Sequence, residues 1–155
     1  MSTKQLIVVI SAFAVIVLLY FLPTKSSSEV STKMTREQML NQKIDEALNI
    51  ITTQPAPMPG IKLLKEVLEE DPKNVRALQT LVQACYMSKQ YDKAVPYLER
   101  LAEIQPSPEV MKELSGTYLQ MKDTANAKIS LQKWYELEKD EVHKKEVQEI
   151  IKQLK

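Results

Sequence analysis

The fold is decided by residues 74–106, which read NVRALQTLVQACYMSKQYDKAVPYLERLAEIQP. The first half of this stretch carries apolar residues at helical spacing, namely Leu78, Leu81, Val82 and Cys85. The second half repeats the spacing with Ala94, Leu98, Leu101 and Ala102. Tyr91 and Asp92 start the second half and Pro106 closes it, so the pattern predicts two amphipathic helices joined by a tight turn.

These positions resemble the tetratricopeptide repeat (TPR), a helical hairpin of about 34 residues. In the repeat pattern, the first helix carries a large apolar residue, Leu, a small residue and Tyr. The second helix carries Ala, then an aromatic residue or Leu, then Ala, and the repeat ends with Pro. The matching residues are Leu78, Leu81, Val82, Cys85, Ala94, Leu98, Leu101 and Pro106. The resemblance implies an all-α, TPR-type array of helical hairpins that binds a protein or a peptide.

Weaker copies of the hairpin flank this stretch on both sides. Gly60, Leu64 and Pro72 fall one repeat length before Ala94, Leu98 and Pro106. After it, Ser107 and Pro108 are typical of a helix start, and the apolar slots are filled by Met111, Leu114, Ser115, Tyr118, Ala127, Leu131 and Trp134. The resemblance therefore implies repeats at about 41–74, 75–107 and 108–141, followed by a capping helix at 142–155.

The first helix of the array is predicted to begin after Thr35, because Thr35 and Gln38 have the spacing of a capping box. Its apolar stripe comprises Met39, Leu40, Ile44, Ala47, Leu48 and Ile51. Prolines at 55, 57 and 59 cannot continue a helix, so the helix should stop before Pro55 and the next should run from Gly60 to Glu70.

The N-terminus carries an uncharged apolar run at residues 6–22, LIVVISAFAVIVLLYFL. Such a run is long enough to cross most of a bilayer, with Lys4 and Lys25 at its ends, which predicts a transmembrane anchor at residues 1–22. A cleaved secretory signal peptide is the alternative. Residues 23–34 are polar and rich in Ser and Thr, which predicts a flexible linker before the TPR-like domain at 35–155.

Positive charges on the two flanks of residues 6–22 nearly balance, so they do not fix which side of the membrane the domain occupies. The resemblance to bacterial proteins with an N-terminal anchor and TPRs implies a single-pass protein of the bacterial inner membrane, with its domain in the periplasm.

Composition argues against several function classes. The chain has 21 Lys+Arg and 20 Asp+Glu, so it lacks the basic excess of a nucleic-acid binder. Two Gly, one Cys and one His leave no phosphate-binding loop, Cys-cluster zinc site or Cys/His catalytic pair. Cys85 and Trp134 fall on core slots, and His143 is expected on the surface. We therefore expect no cofactor, no metal site and no enzymatic activity.

The resemblance places a ligand groove along the first helix of each repeat. Carried over by repeat position, it implies the groove residues Arg76, Gln79, Gln83, Tyr86, Met87, Lys112, Leu119 and Gln120, with Glu109 and Gly116 beside them and Gln42, Asp45 and Asn49 in the first repeat. The carboxylate clamp of chaperone-binding TPRs is rejected, because Asp45, Glu109 and Glu113 stand where its cations belong.

Two functions remain open from the sequence. The first is a membrane-anchored scaffold that binds a protein or peptide, as in an assembly or maturation complex of a bacterial envelope. The second is a structural subunit that associates through its anchor or through the ends of the array, without using the groove.

Overall fold

The structure is a computed structural model that describes residues 35–154. The predicted anchor at 1–22 and the linker at 23–34 lie outside the described residues. Residues 35–154 form seven helices and no strand, which confirms the all-α prediction for this part of the chain. The helices are α1 Arg36–Thr53, α2 Met58–Glu70, α3 Val75–Met87, α4 Tyr91–Ile104, α5 Pro108–Gln120, α6 Thr124–Leu137 and α7 Glu141–Gln153. None of these seven helices has both the length and the apolar content needed to cross a bilayer.

The helices pack in chain order. The closest pairs are α1 with α2, α3 with α4, and α5 with α6. Further contacts join α2 to α3, α4 to α5, and α6 to α7, while α1 also reaches α3. The described residues therefore form three stacked helical hairpins followed by one more helix, an arrangement that fits a TPR-type array.

Side-chain caps fix where several helices begin. The Thr35 hydroxyl accepts from the Gln38 amide, and the Gln38 side chain accepts from the Thr35 amide, which confirms the predicted capping box. The Ser107 hydroxyl accepts from the Val110 amide at 3.3 Å, with Pro108 in the first turn, as the sequence predicts. Asn74, Asp123 and Asp140 cap α3, α6 and α7 in the same way.

The turns inside the second and third hairpins have the same hydrogen bonds. The Gln90 amide donates to the Cys85 carbonyl at 2.8 Å, and the Lys89 amide donates to Tyr86 at 3.0 Å. After α5, the backbone amides of Asp123 and Lys122 form the same two kinds of hydrogen bond. Lys89 and Lys122 have φ of 55° and 60°. Both turns are therefore Schellman motifs that hold a lysine where glycine is the usual residue.

Leucines at the predicted core slots fill the space between the helices. Leu64, Leu98 and Leu131 are 0%, 0% and 1% exposed. Ala94 and Ala127, one helical turn before Leu98 and Leu131, are fully buried. A second apolar cluster joins α5, α6 and α7 through Met111, Leu131, Trp134 and Val147, so the last helix shares the core of the third hairpin.

Gly60 marks the closest approach of α1 and α2. A Cβ at this position would stand 2.6 Å from the Ala47 carbonyl oxygen and 2.8 Å from Ile51 Cγ1. Real side chains do not come this close, so only glycine lets the two helices pack at this distance.

The first hairpin differs from the prediction in two details. Met39 and Leu48, predicted on the apolar stripe of α1, are 48% and 37% exposed. In the described part of the chain α1 packs only on α2 and α3, so the rest of its surface stays open. Helix α2 begins at Met58 and not at Gly60, because amides of the first helical turn need no helical partner and Pro59 is tolerated there.

Candidate partner-binding groove

An open groove of about 580 Å³ lies between α3, the start of α4, and α5. Helix α5 supplies one wall through a single helical face. The residues on this wall are Glu109, Lys112, Glu113, Gly116, Thr117 and Gln120, and the opposite wall is formed by Tyr86 and Tyr91. One side of the groove is thus aromatic and the other is polar and charged.

The aromatic wall is held in place by one contact across the groove and one contact within the wall. The hydroxyls of Tyr86 and Thr117 lie 2.5 Å apart, which joins α3 to α5. The rings of Tyr86 and Tyr91 lie 5.9 Å apart at 50°. Burial raises the pKa of Tyr86 further above its ordinary value, so its hydroxyl stays protonated and neutral at physiological pH.

The charged wall carries two carboxylates and one ammonium. The backbone amide of Glu109 and the Ser107 hydroxyl donate to the Glu109 carboxylate and lower its pKa. Partial burial raises the pKa of Glu113. Lys112 lies over the Trp134 ring, with Nζ 5.4 Å from the ring centroid, in the range of a cation–π contact. The excess of carboxylates suits a cationic or neutral ligand better than an anionic one.

Gly116 leaves a gap in the α5 wall. Among the described residues, no side chain and no backbone atom of another element comes within 4 Å of where its Cβ would stand. Glycine inside a helix costs about 1 kcal/mol relative to alanine. At Gly60 this cost is explained by the contact with Ala47, whereas nothing within residues 35–154 explains it at Gly116.

Three of the eight predicted groove residues line this groove, Tyr86, Lys112 and Gln120, together with Glu109 and Gly116. Arg76 is instead drawn to α1, where it forms an ion pair with Asp45 and hydrogen bonds to Asn41. The charges of Arg76 and Asp45 therefore neutralise each other between α1 and α3.

The other predicted residues lie elsewhere. Gln79 and Gln83 are exposed on α3 but do not line the groove. Leu119 is half-buried and packs on the core. Met87 is 63% exposed and lines a different cavity. In the first repeat Gln42 and Asn49 are exposed.

Thr117 and Tyr91 were not predicted as groove residues, and Glu113 was considered only as a position of the carboxylate clamp. The signal was present on α5, because 109, 112, 113, 116, 117 and 120 follow the i, i+3, i+4 spacing of one helical face. Tyr91 was predicted only as a residue of the turn and of the helix start, and in the structure it also lies beside Tyr86 at the start of α4.

Trp134, His143 and Cys85, which the sequence analysis also considered, lie outside the groove. Trp134 is 8% exposed, and its indole donates to Glu138 at 3.2 Å. His143 is exposed, with Nδ1 3.8 Å from the Glu138 carboxylate. Cys85 is half-buried, and burial raises the pKa of its thiol. The placed His, Cys, Asp and Glu residues form no group of three arranged to hold a metal ion.

Comparison with known families gives one match. Residues 60–112 match the family model described as tetratricopeptide repeat. The matched segment runs from α2 through α3 and α4 into the start of α5, and so includes four of the eight residues that line the groove. It covers less than half of the chain, and together with the helical hairpins it supports a TPR protein. No curated protein matches the chain.

Proposed function

We propose that this chain is a membrane-anchored TPR scaffold that binds a protein or peptide partner in the groove between α3 and α5. TPR domains commonly act in protein–protein interaction. The observation that carries the proposal is the groove itself, because its two walls combine aromatic rings, charged groups of both signs and a gap at Gly116. Such a mixture of apolar anchors and polar groups is typical of peptide-binding grooves.

The groove favours a partner segment that carries a cationic side chain beside an apolar or aromatic one. Glu109 and Glu113 supply carboxylates for the cation, and Tyr86 and Tyr91 supply the surface for the apolar group. Lys112 is directed over Trp134, so it opposes the carboxylates less than a free ammonium would.

The gap at Gly116 supports close approach of the partner. A helix accepts the cost of an interior glycine when another group needs the space next to its backbone. No residue of the described chain takes that space, so it is available to the main chain of a bound segment.

The apolar run at residues 6–22, outside the described residues, supports attachment to a membrane. By resemblance we place the protein in the bacterial inner membrane, with the array in the periplasm and a role in envelope assembly or maturation. We further propose that it acts by binding alone, without a cofactor, without catalysis and without nucleic acid, because the sequence holds one Cys, one His and balanced charge.

A selected peptide tests the proposal. Peptides are selected from a displayed random library against the full-length chain in lipid nanodiscs, and their binding is measured by fluorescence anisotropy. Reversing the groove charge with Glu109→Lys/Glu113→Lys should weaken the selected cationic peptides by about 10- to 100-fold, because like charges then face each other.

A matched control carries the same charge change elsewhere. Glu46→Lys/Glu146→Lys alters two exposed carboxylates on α1 and α7, and it should bind the peptide as the parent chain does. If both double variants weaken peptide binding equally, or if neither weakens it, the peptide does not bind in the groove.

Self-association through the ends of the array is the second candidate. Leu48 on α1 and Val142 on α7 are 37% and 65% exposed, which leaves apolar surface on the first and last described helices. Under this candidate, sedimentation would show oligomers that Leu48→Gln or Val142→Gln disrupts and that the groove variants leave intact.

A further inference from the structure

A second cavity, of about 380 Å³, lies between the first and second hairpins and is separate from the groove. Its innermost lining comes from Ile51, Leu81 and Ala84, which are 7%, 1% and 7% exposed. The volume is within the range of about 300–1,000 Å³ that small-ligand sites occupy.

The rim of this cavity is apolar and exposed. Met58 and Met87 are 66% and 63% exposed, among the most exposed large apolar residues of the described chain. Methionine side chains are flexible and adapt to apolar ligands of different shape. Half-buried Ile61, Cys85 and Tyr97 complete the apolar surface.

Two lysines give the cavity a positive edge. Lys65 on α2 and Lys93 on α4 both line it, and none of the described residues that line it carries a carboxylate. Lys43, Lys62, Lys144 and Lys152 form ion pairs, whereas neither Lys65 nor Lys93 pairs with a carboxylate among residues 35–154. Lys93 donates to the neutral Gln90 amide at 2.5 Å. Both ammonium groups also act electrostatically on Cys85, as does Asp92, which is not part of the lining.

The polar groups of the cavity, which lie at its edge, indicate what kind of ligand it binds. A peptide would bring amide and carbonyl groups into a mainly apolar cavity, where unpaired polar groups are costly. A hydrocarbon chain has no such groups along its length, and a carboxylate at its end would meet the two lysines.

We propose that this cavity binds a long-chain carboxylate, with the hydrocarbon chain against Ile51, Leu81 and Met87 and the carboxylate between Lys65 and Lys93. This site is distinct from the peptide groove and does not depend on the function proposed for it.

Cys85 provides a direct readout, because it lines the cavity and is the one cysteine of the sequence. Full-length protein in phosphatidylcholine nanodiscs is equilibrated by dialysis with decanoate below its micelle-forming concentration. The rate at which maleimide labels Cys85 is then measured. Decanoate should slow labelling to a saturable limit, whereas butyrate, which has the charge without the chain, and decylamine, which has the opposite charge, should leave the rate unchanged.

Paired variants test the role of the lysines. Lys65→Gln/Lys93→Gln should raise the decanoate concentration for half-protection by about tenfold, because it removes both charge-assisted hydrogen bonds. Lys62→Gln, on the same helix but outside the lining, should leave that concentration unchanged. Unaltered thermal unfolding of all variants shows that the fold is retained.

Any of four results would overturn the proposal. The first is that decanoate has no effect on labelling. The second is that decylamine protects Cys85 as well as decanoate does, and the third is that the double lysine variant binds decanoate like the parent. Protection by a groove-binding peptide but not by decanoate would also overturn it, because the occupant would then be a protein segment.

Discussion

The two glycines of the sequence, Gly60 and Gly116, have different structural roles. Gly60 is buried, and a Cβ there would meet the Ala47 carbonyl oxygen at 2.6 Å, so its missing side chain lets α1 and α2 approach. Gly116 is exposed in the groove wall, and no atom of another described element comes near it. The same residue type therefore serves packing in one hairpin and leaves open space in another.

Substitution by alanine should separate these two tasks. Gly116→Ala should raise the free energy of unfolding by about 0.5–1 kcal/mol, because alanine is the better helix former and meets no obstacle. Gly60→Ala should lower it by about 1–3 kcal/mol through overpacking against backbone. Urea unfolding followed by circular dichroism measures both. A loss of stability in Gly116→Ala would show that this glycine has a structural role after all.

Tyr118 should make stability sensitive to alkali. Burial, reinforced by the hydrogen bond from its hydroxyl to Glu99 at 2.7 Å, raises the pKa of Tyr118 from 10.0 to about 12. The pKa of Tyr118 is higher in the folded than in the unfolded chain. Its contribution to the free energy of unfolding is therefore complete below about pH 10 and is lost as pH rises from about 10 to about 12. Tyr118→Phe removes the titrating group, so it should lose less stability than the parent over this window.

Urea unfolding at steps from pH 8 to about 11.5 measures this difference. Tyr86 and Tyr97 also have raised pKa values, so some alkaline loss should remain in the variant. An identical alkaline loss in the parent and in Tyr118→Phe would contradict the assignment.

Residue-level prediction from the sequence was right where a position depends on packing. Leu64, Leu98 and Leu131 fall on buried slots because hydrophobic spacing alone determines which face of a helix is covered. It was less successful for surface side chains. Arg76 turns towards Asp45 on the neighbouring hairpin, a contact that depends on how two hairpins stack and that no local pattern encodes.

At the scale of elements, the two Schellman turns after α3 and α5 carry a lysine in the left-handed region. Lys89 and Lys122 were not predicted there, because the usual sequence signal for such a turn is glycine. The prolines before α2 likewise misled the prediction of its start, since their inability to continue a helix does not prevent them from opening one.

Replacing the lysines tests this description of the turns. Lys89→Gly and Lys122→Gly should each stabilise the fold by a few tenths to about 1 kcal/mol, because glycine adopts positive φ without the steric cost that a side chain brings. Lys128→Gly, inside α6, should instead destabilise by about 1 kcal/mol. Thermal unfolding of the three single variants distinguishes the two effects, and destabilisation by all three would contradict the turn geometry.

At the scale of the whole described domain, the hairpins share a core and should unfold together. Leu98 is fully buried in the second hairpin, so Leu98→Ala should cost about 2–5 kcal/mol. The matched change Leu48→Ala, at a position 37% exposed, should cost less than about 1 kcal/mol.

Trp134 on α6 reports whether the loss spreads beyond the altered hairpin. Because the array is cooperative, its fluorescence transition should shift together with the helical signal of the domain in Leu98→Ala. A fluorescence transition that stays in place while the helical signal shifts would show that the hairpins unfold independently.

Site-specific photocrosslinking in native membranes tests most directly whether the α3–α5 groove holds the partner. A photoreactive residue is placed at Tyr86 in the groove or, as a control, at Ile129, which is 56% exposed on α6 and outside the groove. We expect a dominant protein adduct from position 86 that Glu109→Lys/Glu113→Lys abolishes, and none of that adduct from position 129. An adduct from position 86 that survives the charge reversal, or a dominant adduct from position 129, would contradict this expectation.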